Sequence, residues 1–183
     1  MTPAEQHAYD AARFAELVES AAPAQWSNPS PIASWTARDV LDHLLEWLPG
    51  LLSSAGIEFG QLPHNDPANA WRQRTAEVQN VIETQGETVL ENANFPSMPV
   101  AAAINQFYTA DIWMHSWDLG TALGLEVDLG EQRCAAALAG MEPMDDMLRA
   151  SGQFGPRVDV PDEASAQDQF IAFIGRDPYW QPS

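Results

Sequence analysis

The chain has 183 residues, of which 45% are hydrophobic, and it carries a formal net charge of −18 at neutral pH. All eight basic residues are arginines, so the lysine that a P-loop or a Schiff-base mechanism needs is absent. So acidic a chain lacks the basic footprint of a nucleic-acid-binding protein, and an anionic membrane surface would repel it. We therefore expect a globular protein that acts on a small molecule.

The length suits a single domain with its own hydrophobic core, so we expect residues 1–183 to form one domain. No apolar run approaches the roughly 20 residues of a membrane-spanning helix, and residues 1–10 lack the basic and apolar regions of a signal peptide. A cytoplasmic location is the expectation. The single cysteine, Cys134, excludes an internal disulfide, and its apolar neighbours favour a buried, unreactive thiol.

Helical signals recur along the chain, whereas strand signals are scarce. The predicted helices open at Pro3 and then cover residues 37–53, 68–84, 98–123, 131–150 and 166–174. The first begins with a capping box formed by Thr2 and Glu5, and the second is expected to be disturbed at Pro49. Residues 92–99 are predicted to be a connection in which Ser97 caps the fourth helix. The pattern indicates an all-α fold, a four-helix bundle with additional short C-terminal helices.

The fourth predicted helix carries an unusual polar pair on one face. Asp111 and His115 are four residues apart, in a stripe whose ends are apolar: Ile104, Tyr108, Leu119 and Ala122. A buried carboxylate is costly unless something compensates it. A hydrogen bond to His115 is one solution. A shared cation is the other, because side chains at this spacing both reach a metal ion.

The second predicted helix carries His43 on its own apolar stripe, among leucines. A histidine from one helix facing an Asp-x-x-x-His pair from another supplies three ligands and leaves a coordination position open, as in catalytic zinc sites. Zinc is the metal that we expect first, and nickel, iron or manganese suit the same ligands. In the alternative interpretation, each histidine is an ordinary core or surface residue and binds no metal.

Four neighbouring residues are weaker candidates. Asp118, about one turn after His115, either orients that imidazole as a hydrogen-bond acceptor or caps a neighbouring element. Glu46 is a base or an alternative ligand in one interpretation, and a solvated glutamate in the simpler one. Trp47 and Trp117 either line a pocket or pack in the core. The sequence identifies no catalytic residue beyond these.

Three segments together resemble one known group of proteins. They are residues 35–43 (WTARDVLDH), residues 111–119 (DIWMHSWDL) and the C-terminal residues 154–180. In this order and helix placement they resemble the DinB-like superfamily, in the branch of the mycothiol-dependent maleylpyruvate isomerase N-terminal domain. Within that branch, the chain is similar to small actinobacterial metal-binding proteins. The resemblance covers nearly the whole chain.

The resemblance implies a four-helix bundle whose divalent metal is held by His43, Asp111 and His115. Relatives often carry histidine or glutamate at the middle position, where this chain has the shorter Asp111. The resemblance also implies a metal-dependent enzyme that uses a low-molecular-weight thiol such as mycothiol, as a transferase or isomerase. Two alternatives stay open: a metal-dependent hydrolase, and a non-catalytic bundle that binds a metal or ligand. A homodimer is compatible with a bundle of this size.

Overall fold

The structure is a computed structural model that describes residues 1–93 and 95–182, most of them helical. The long helices are α1 (Pro3–Ser20), α2 (Ala37–Leu52), α3 (Pro67–Gln85) and a continuous segment made of α4 (Val100–Ala103), a π-helical stretch (Ile104–Thr109) and α5 (Ala110–Ala122). After them come α6 (Glu131–Met141), α7 (Asp145–Ala150) and α8 (Ala166–Phe173). Short 3-10 helices cover Pro23–Ser27, Ser53–Ala55 and Glu142–Met144.

The long helices enclose the main hydrophobic core. Helix α1 packs against α3 and α5, and α2 packs against α5. Buried apolar side chains from these helices fill the centre, among them Phe14, Leu41, Leu44, Trp71 and Ile112. Burying a side chain of this kind contributes about 1.5–3 kcal/mol relative to leaving it exposed. The structure confirms the predicted all-α bundle with additional C-terminal helices.

Capping boxes set the starts of the first two helices. Thr2 Oγ1 accepts a hydrogen bond from Glu5 N over 3.3 Å, and Glu5 Oε2 accepts one from Thr2 N over 2.8 Å. Thr36 and Asp39 form the same reciprocal pair at the start of α2. Pro49 lies inside α2, where the sequence predicted a disturbance, but the helix continues past it to Leu52. The start of α2, and with it the placement of His43 two turns later, therefore depends on local sequence.

Residues 92–99, predicted as a connection, belong mainly to a β-hairpin. Its antiparallel strands are β1 (Val89–Asn92) and β2 (Phe95–Pro99), with an irregular register after Leu90. Strands of four and five residues are too short to show a clear alternating pattern, and prolines are depleted in strands. The sequence therefore could not reveal this hairpin.

The predicted cap of the fourth helix is also wrong. Helix α4 begins at Val100, not after Ser97, and its start has no side-chain cap. Its first amides are satisfied by backbone carbonyls instead: Val100 N donates to Thr88 O over 2.8 Å, and Ala101 N donates to Gly86 O over 2.9 Å. These acceptors come from the turn after α3, so the start of α4 depends on tertiary contacts.

A π-helical stretch precedes the part of the helix that carries Asp111, where the sequence predicted a regular helix. Tyr108 lies in this stretch, is fully buried, and donates its hydroxyl to Leu44 O of α2 over 3.0 Å. Its ring centroid lies 5.7 Å from that of Trp47 on α2. Such π turns occur often at functional sites. Here the contacts of the π turn hold α5 against α2 one turn before Asp111.

The C-terminal part forms a second hydrophobic cluster. Residues 131–150, predicted as one helix, are divided by the 3-10 turn at Pro143, which has no amide hydrogen to donate. Helix α6 packs against α8, and Cys134 and Phe170 are buried there beside aromatic side chains of α5. Burial raises the pKa of the Cys134 thiol to about 12, in agreement with the predicted buried cysteine. Among the described residues, no helix is long and apolar enough to cross a membrane.

Candidate metal centre

Two helices bring the three predicted ligands together. His43 Nε2 on α2 lies 3.0 Å from Asp111 Oδ2 on α5, and His115 Nε2 lies 3.3 Å from Asp111 Oδ1. The two imidazole centroids are 5.0 Å apart. One potential ligand atom from each residue lies within 4.8 Å of those of the other two. Asp111 thus lies between the histidines, with one carboxylate oxygen toward each.

The three side chains differ in burial. The His115 side chain is 6% exposed, that of Asp111 is 19% exposed, and that of His43 is 33% exposed. The cluster is therefore closed on the side of His115 and reached by solvent beside His43. A site of this shape can admit a small molecule from one direction.

Charge couples the buried members of the cluster. Burial alone would raise the pKa of Asp111, but His115 and His43 hold it well below its usual range. Burial alone would lower the pKa of His115, but Asp111 and Asp118 raise it to about 9. Without a metal, the cluster holds a carboxylate beside a protonated imidazole at neutral pH. A cation in the same place would take over the role of that proton.

Trp47 contacts the central carboxylate directly. Its indole Nε1–H donates to Asp111 Oδ2 over 3.0 Å, and its ring lies 6.2 Å from that of His43. One oxygen of Asp111 is therefore shared by His43 and Trp47, while the other faces His115. The aspartate reaches both histidines although its side chain is short. Trp47, predicted as a pocket or core residue, lies in the site.

Asp118 contacts the other nitrogen of His115. Its Oδ2 lies 2.8 Å from His115 Nδ1, and Arg176 contacts both Asp118 oxygens, at 3.2 and 3.3 Å. Because an ionised carboxylate only accepts hydrogen bonds, the contact with Asp118 keeps a hydrogen on Nδ1. Nε2, which faces Asp111, carries the additional proton when no metal is bound. Of the two roles predicted for Asp118, the contact with His115 is the one that its described hydrogen bonds favour, since they join it to His115 and Arg176.

Trp35 also contacts the cluster, although the sequence interpretation gave it no role. Its ring centroid lies 5.2 Å from that of His43 and 6.0 Å from that of His115. It also lines a groove of about 580 Å³ between residues 27–36 and Trp180 of the C-terminal segment. Among residues 1–93 and 95–182, those that line the groove include no charged side chain, although 19% of the chain is charged. An uncharged groove therefore adjoins the histidines across one indole ring.

The remaining candidates lie elsewhere. Glu46 is exposed, as the simpler interpretation expected. Trp117 is 6% exposed and packs in the second hydrophobic cluster. Arg176, which the sequence interpretation missed as a contact of Asp118, follows it by 58 residues, and no local pattern relates two residues so far apart.

Residues 8–120 match the family model of the mycothiol maleylpyruvate isomerase N-terminal domain. The chain belongs to this family. The matched range includes all three members of the cluster, and it ends before the C-terminal segment that carries Arg176.

Two relatives of this family member come from two strains of Mycobacterium tuberculosis, and both are uncharacterised proteins. Each is 30% identical to the chain over an alignment of 184 positions, gaps included. The alignment covers 94% of this chain and 96% of the relative. They extend the similarity into the C-terminal region without adding an activity. No solved structure matches the chain.

Proposed function

We propose that this member of the mycothiol maleylpyruvate isomerase N-terminal domain family binds a divalent metal and uses a mycothiol-type thiol in transferase or isomerase chemistry. The observation that carries the proposal is the cluster of His43, Asp111 and His115, whose potential ligand atoms lie within 4.8 Å of one another. The family match adds the link to thiol chemistry.

The donor set fits a divalent transition metal. Two imidazole nitrogens and a carboxylate oxygen suit zinc, and they also suit nickel, iron and manganese. Three protein ligands leave a coordination position for an exogenous group. A divalent metal held here supplies a Lewis acid that lowers the pKa of a coordinated thiol. His43, Asp111 and His115 hold the metal in this proposal, while Trp47 and Asp118 orient two of these ligands.

The surroundings of the cluster favour a small organic substrate. The exposed edge of His43 leaves one side open, and Trp35 separates the histidines from the uncharged groove. In this proposal the groove binds the part of the thiol or its acceptor that does not react. Aromatic side chains in a groove with few charges are typical of small-molecule sites.

Hydrolysis is the less favoured alternative, because neither acid considered as a general base is well suited. Glu46 is exposed to solvent. Asp118 is buried, and both of its oxygens already contact cations or potential cations, namely Arg176 and His115. An acid whose pKa is lowered by such partners is a weak base.

Elemental analysis of the purified chain tests the metal. We expect the wild type to retain one divalent metal ion per chain after dialysis, and His43→Ala, His115→Ala and Asp111→Asn to lose most of it. His64→Ala is the matched control, because His64 is an exposed histidine outside the cluster. Undiminished metal in the cluster variants, or equal loss in the control, would contradict the proposal.

A thiol-transfer assay tests the chemistry. The wild type, loaded in turn with zinc, nickel, iron or manganese, is mixed with mycothiol and a panel of electrophiles. For a transferase we expect loss of free thiol matched by formation of the conjugate. For an isomerase we expect thiol-dependent formation of the isomer with no net loss of thiol. Either reaction should be abolished in His43→Ala. If the protein retains metal but shows no thiol-dependent turnover across the panel, the proposed metal binding stands and the proposed enzymatic activity is contradicted. Turnover of esters or amides without thiol would favour the hydrolase.

A further inference from the structure

The C-terminal segment reaches back to the bundle through one arginine. Arg176 follows α8 and contacts Asp118 of α5 at two points, Nε to Oδ1 over 3.2 Å and Nη2 to Oδ2 over 3.3 Å. Its third nitrogen, Nη1, donates to Ile174 O over 2.9 Å, which holds the guanidinium in place. The Arg176 side chain is 12% exposed, and that of Asp118 is 1% exposed. The contact is a partly buried, two-point ion pair.

The carboxylate that Arg176 holds is the one that contacts His115. Asp118 Oδ2 accepts from His115 Nδ1 over 2.8 Å, so this oxygen is shared between the imidazole and Arg176. A carboxylate this deeply buried is costly to leave uncompensated. Without the guanidinium, Asp118 would lose the two contacts that fix its carboxylate from the C-terminal segment, and the carboxylate would be free to rotate. Rotation would release the imidazole whose Nε2 faces Asp111.

We propose that Arg176 is a positioning residue of the metal centre, acting on His115 through Asp118. The inference rests on the proposed metal site. Hydrogen-bond partners of metal-binding histidines fix ring orientation, and their loss typically weakens metal binding 10- to 100-fold. Arg176 lies outside residues 8–120, so the family match does not include it. The segment after α8 is thereby part of the metal site, although it contributes no ligand.

Zinc affinity and a cobalt spectrum test the role. Zinc affinity is measured by competition with a chromophoric chelator, and the absorption of the Co²⁺-loaded protein reports ligand geometry. We expect Arg176→Ala to bind zinc more weakly, by at most the roughly 10- to 100-fold that loss of a histidine's direct partner causes, and to change the cobalt spectrum. Arg176→Lys keeps the charge but not the two-point contact, so we expect an intermediate loss. In an Asp118→Asn background, Arg176→Ala should weaken zinc binding little further.

Arg133→Ala is the matched control. Arg133 makes the same kind of two-point contact with a buried carboxylate, Asp10, which is 2% exposed, at 2.6 and 2.8 Å. Asp10 contacts neither histidine of the cluster through any bond described for residues 1–93 and 95–182. Urea unfolding should show a loss of stability in both arginine variants, while only Arg176→Ala loses zinc affinity.

The outcomes separate the two proposals. Weaker zinc binding and an altered cobalt spectrum in Arg176→Ala, absent from Arg133→Ala, support the positioning role. Wild-type zinc affinity in both Arg176→Ala and Arg176→Lys overturns it while leaving the metal site intact. Equal losses in Arg176→Ala and Arg133→Ala also overturn it, since they reflect general destabilisation. If Arg176→Ala does not fold, Arg176→Lys decides by the same criteria. No zinc binding by the wild type overturns the proposed function, and this inference with it.

Discussion

The indole of Trp47 donates a hydrogen bond to Asp111 across the interface of α2 and α5, to the same oxygen that lies 3.0 Å from His43. One carboxylate oxygen is therefore fixed by two side chains of α2. Trp47→Phe keeps an aromatic ring but removes the donor. We expect it to lower the free energy of unfolding of the metal-free protein by about 1–2 kcal/mol, in the range for a hydrogen bond to a charged group that is partly open to water.

Urea unfolding of a double-mutant cycle checks this prediction. The four proteins are the wild type, Trp47→Phe, Asp111→Ala and the double variant; alanine is used because asparagine would keep an oxygen that can accept from the indole. Part of the cost of Trp47→Phe comes from lost packing, and the cycle removes that part. A coupling energy near zero would show that the hydrogen bond contributes nothing to stability.

Removal of the metal should make stability depend on pH through His115. The pKa of His115 is raised to about 9 in the folded chain and is ordinary in the unfolded chain. The folded state then binds more protons between pH 6.5 and 9, so its stability is complete below this range and is lost as the pH rises through it. The slope is at most about 1.4 kcal/mol per pH unit.

The check is urea unfolding of chelator-treated protein at several pH values in that range, with His115→Gln as the control. We expect the wild type to lose stability with rising pH and the variant to lose less. Zinc affinity should change in the opposite direction and rise with pH, because the metal displaces the His115 proton. The same pH dependence of stability in both proteins would contradict the assignment.

Ionisation of His7 should make stability depend on pH in the opposite direction to that of His115, and in a lower pH range. It is 1% exposed on α1 and its Nδ1 lies 2.8 Å from Gln79 Oε1, while its buried Nε2 has no hydrogen-bond partner among the described residues. Burial lowers its pKa. The unfolded chain therefore binds more protons below about pH 6.5, and stability falls as the pH falls. Compared with the wild type, His7→Phe should lose less stability between pH 6.5 and pH 5 in urea unfolding; equal losses would refute this role.

Gly175→Ala should destabilise the C-terminal segment next to Arg176. Gly175 has a φ of +87°, and an added Cβ would lie 2.7 Å from Gly155 Cα. The left-handed backbone alone costs roughly 1–2 kcal/mol for a residue with a side chain, and the clash adds to it. Gly152→Ala is the control, with a φ of +73° and open space around its Cβ. Urea unfolding should show a larger decrease in the free energy of unfolding for Gly175→Ala than for Gly152→Ala. Zinc binding should be weaker in Gly175→Ala and unchanged in Gly152→Ala. Equal effects of the two substitutions would contradict this.

Local sequence was sufficient to predict the parts of the fold that local interactions determine. Capping pairs such as Thr2 and Glu5 satisfy helix amides within one turn, and apolar spacing decides which face is buried. The predicted helices therefore agree with the structure to within a few residues, apart from the cap of α4, the π-helical stretch after it and the break at Pro143. The amide of Val100, the first residue of α4, donates a hydrogen bond to Thr88 O. Only the hairpin brings this acceptor into place.

The candidate site divides in the same way. By itself the sequence determined that Asp111 and His115 share a helix face and that His43 lies on an apolar stripe, since helical periodicity requires both. Only the tertiary structure decided that the three converge, that Trp47 donates to Asp111, and that Arg176 reaches Asp118. The physical reason is distance along the chain. A helix relates residues three or four apart, whereas contacts between α2, α5 and the segment after α8 depend on the packing of the whole bundle.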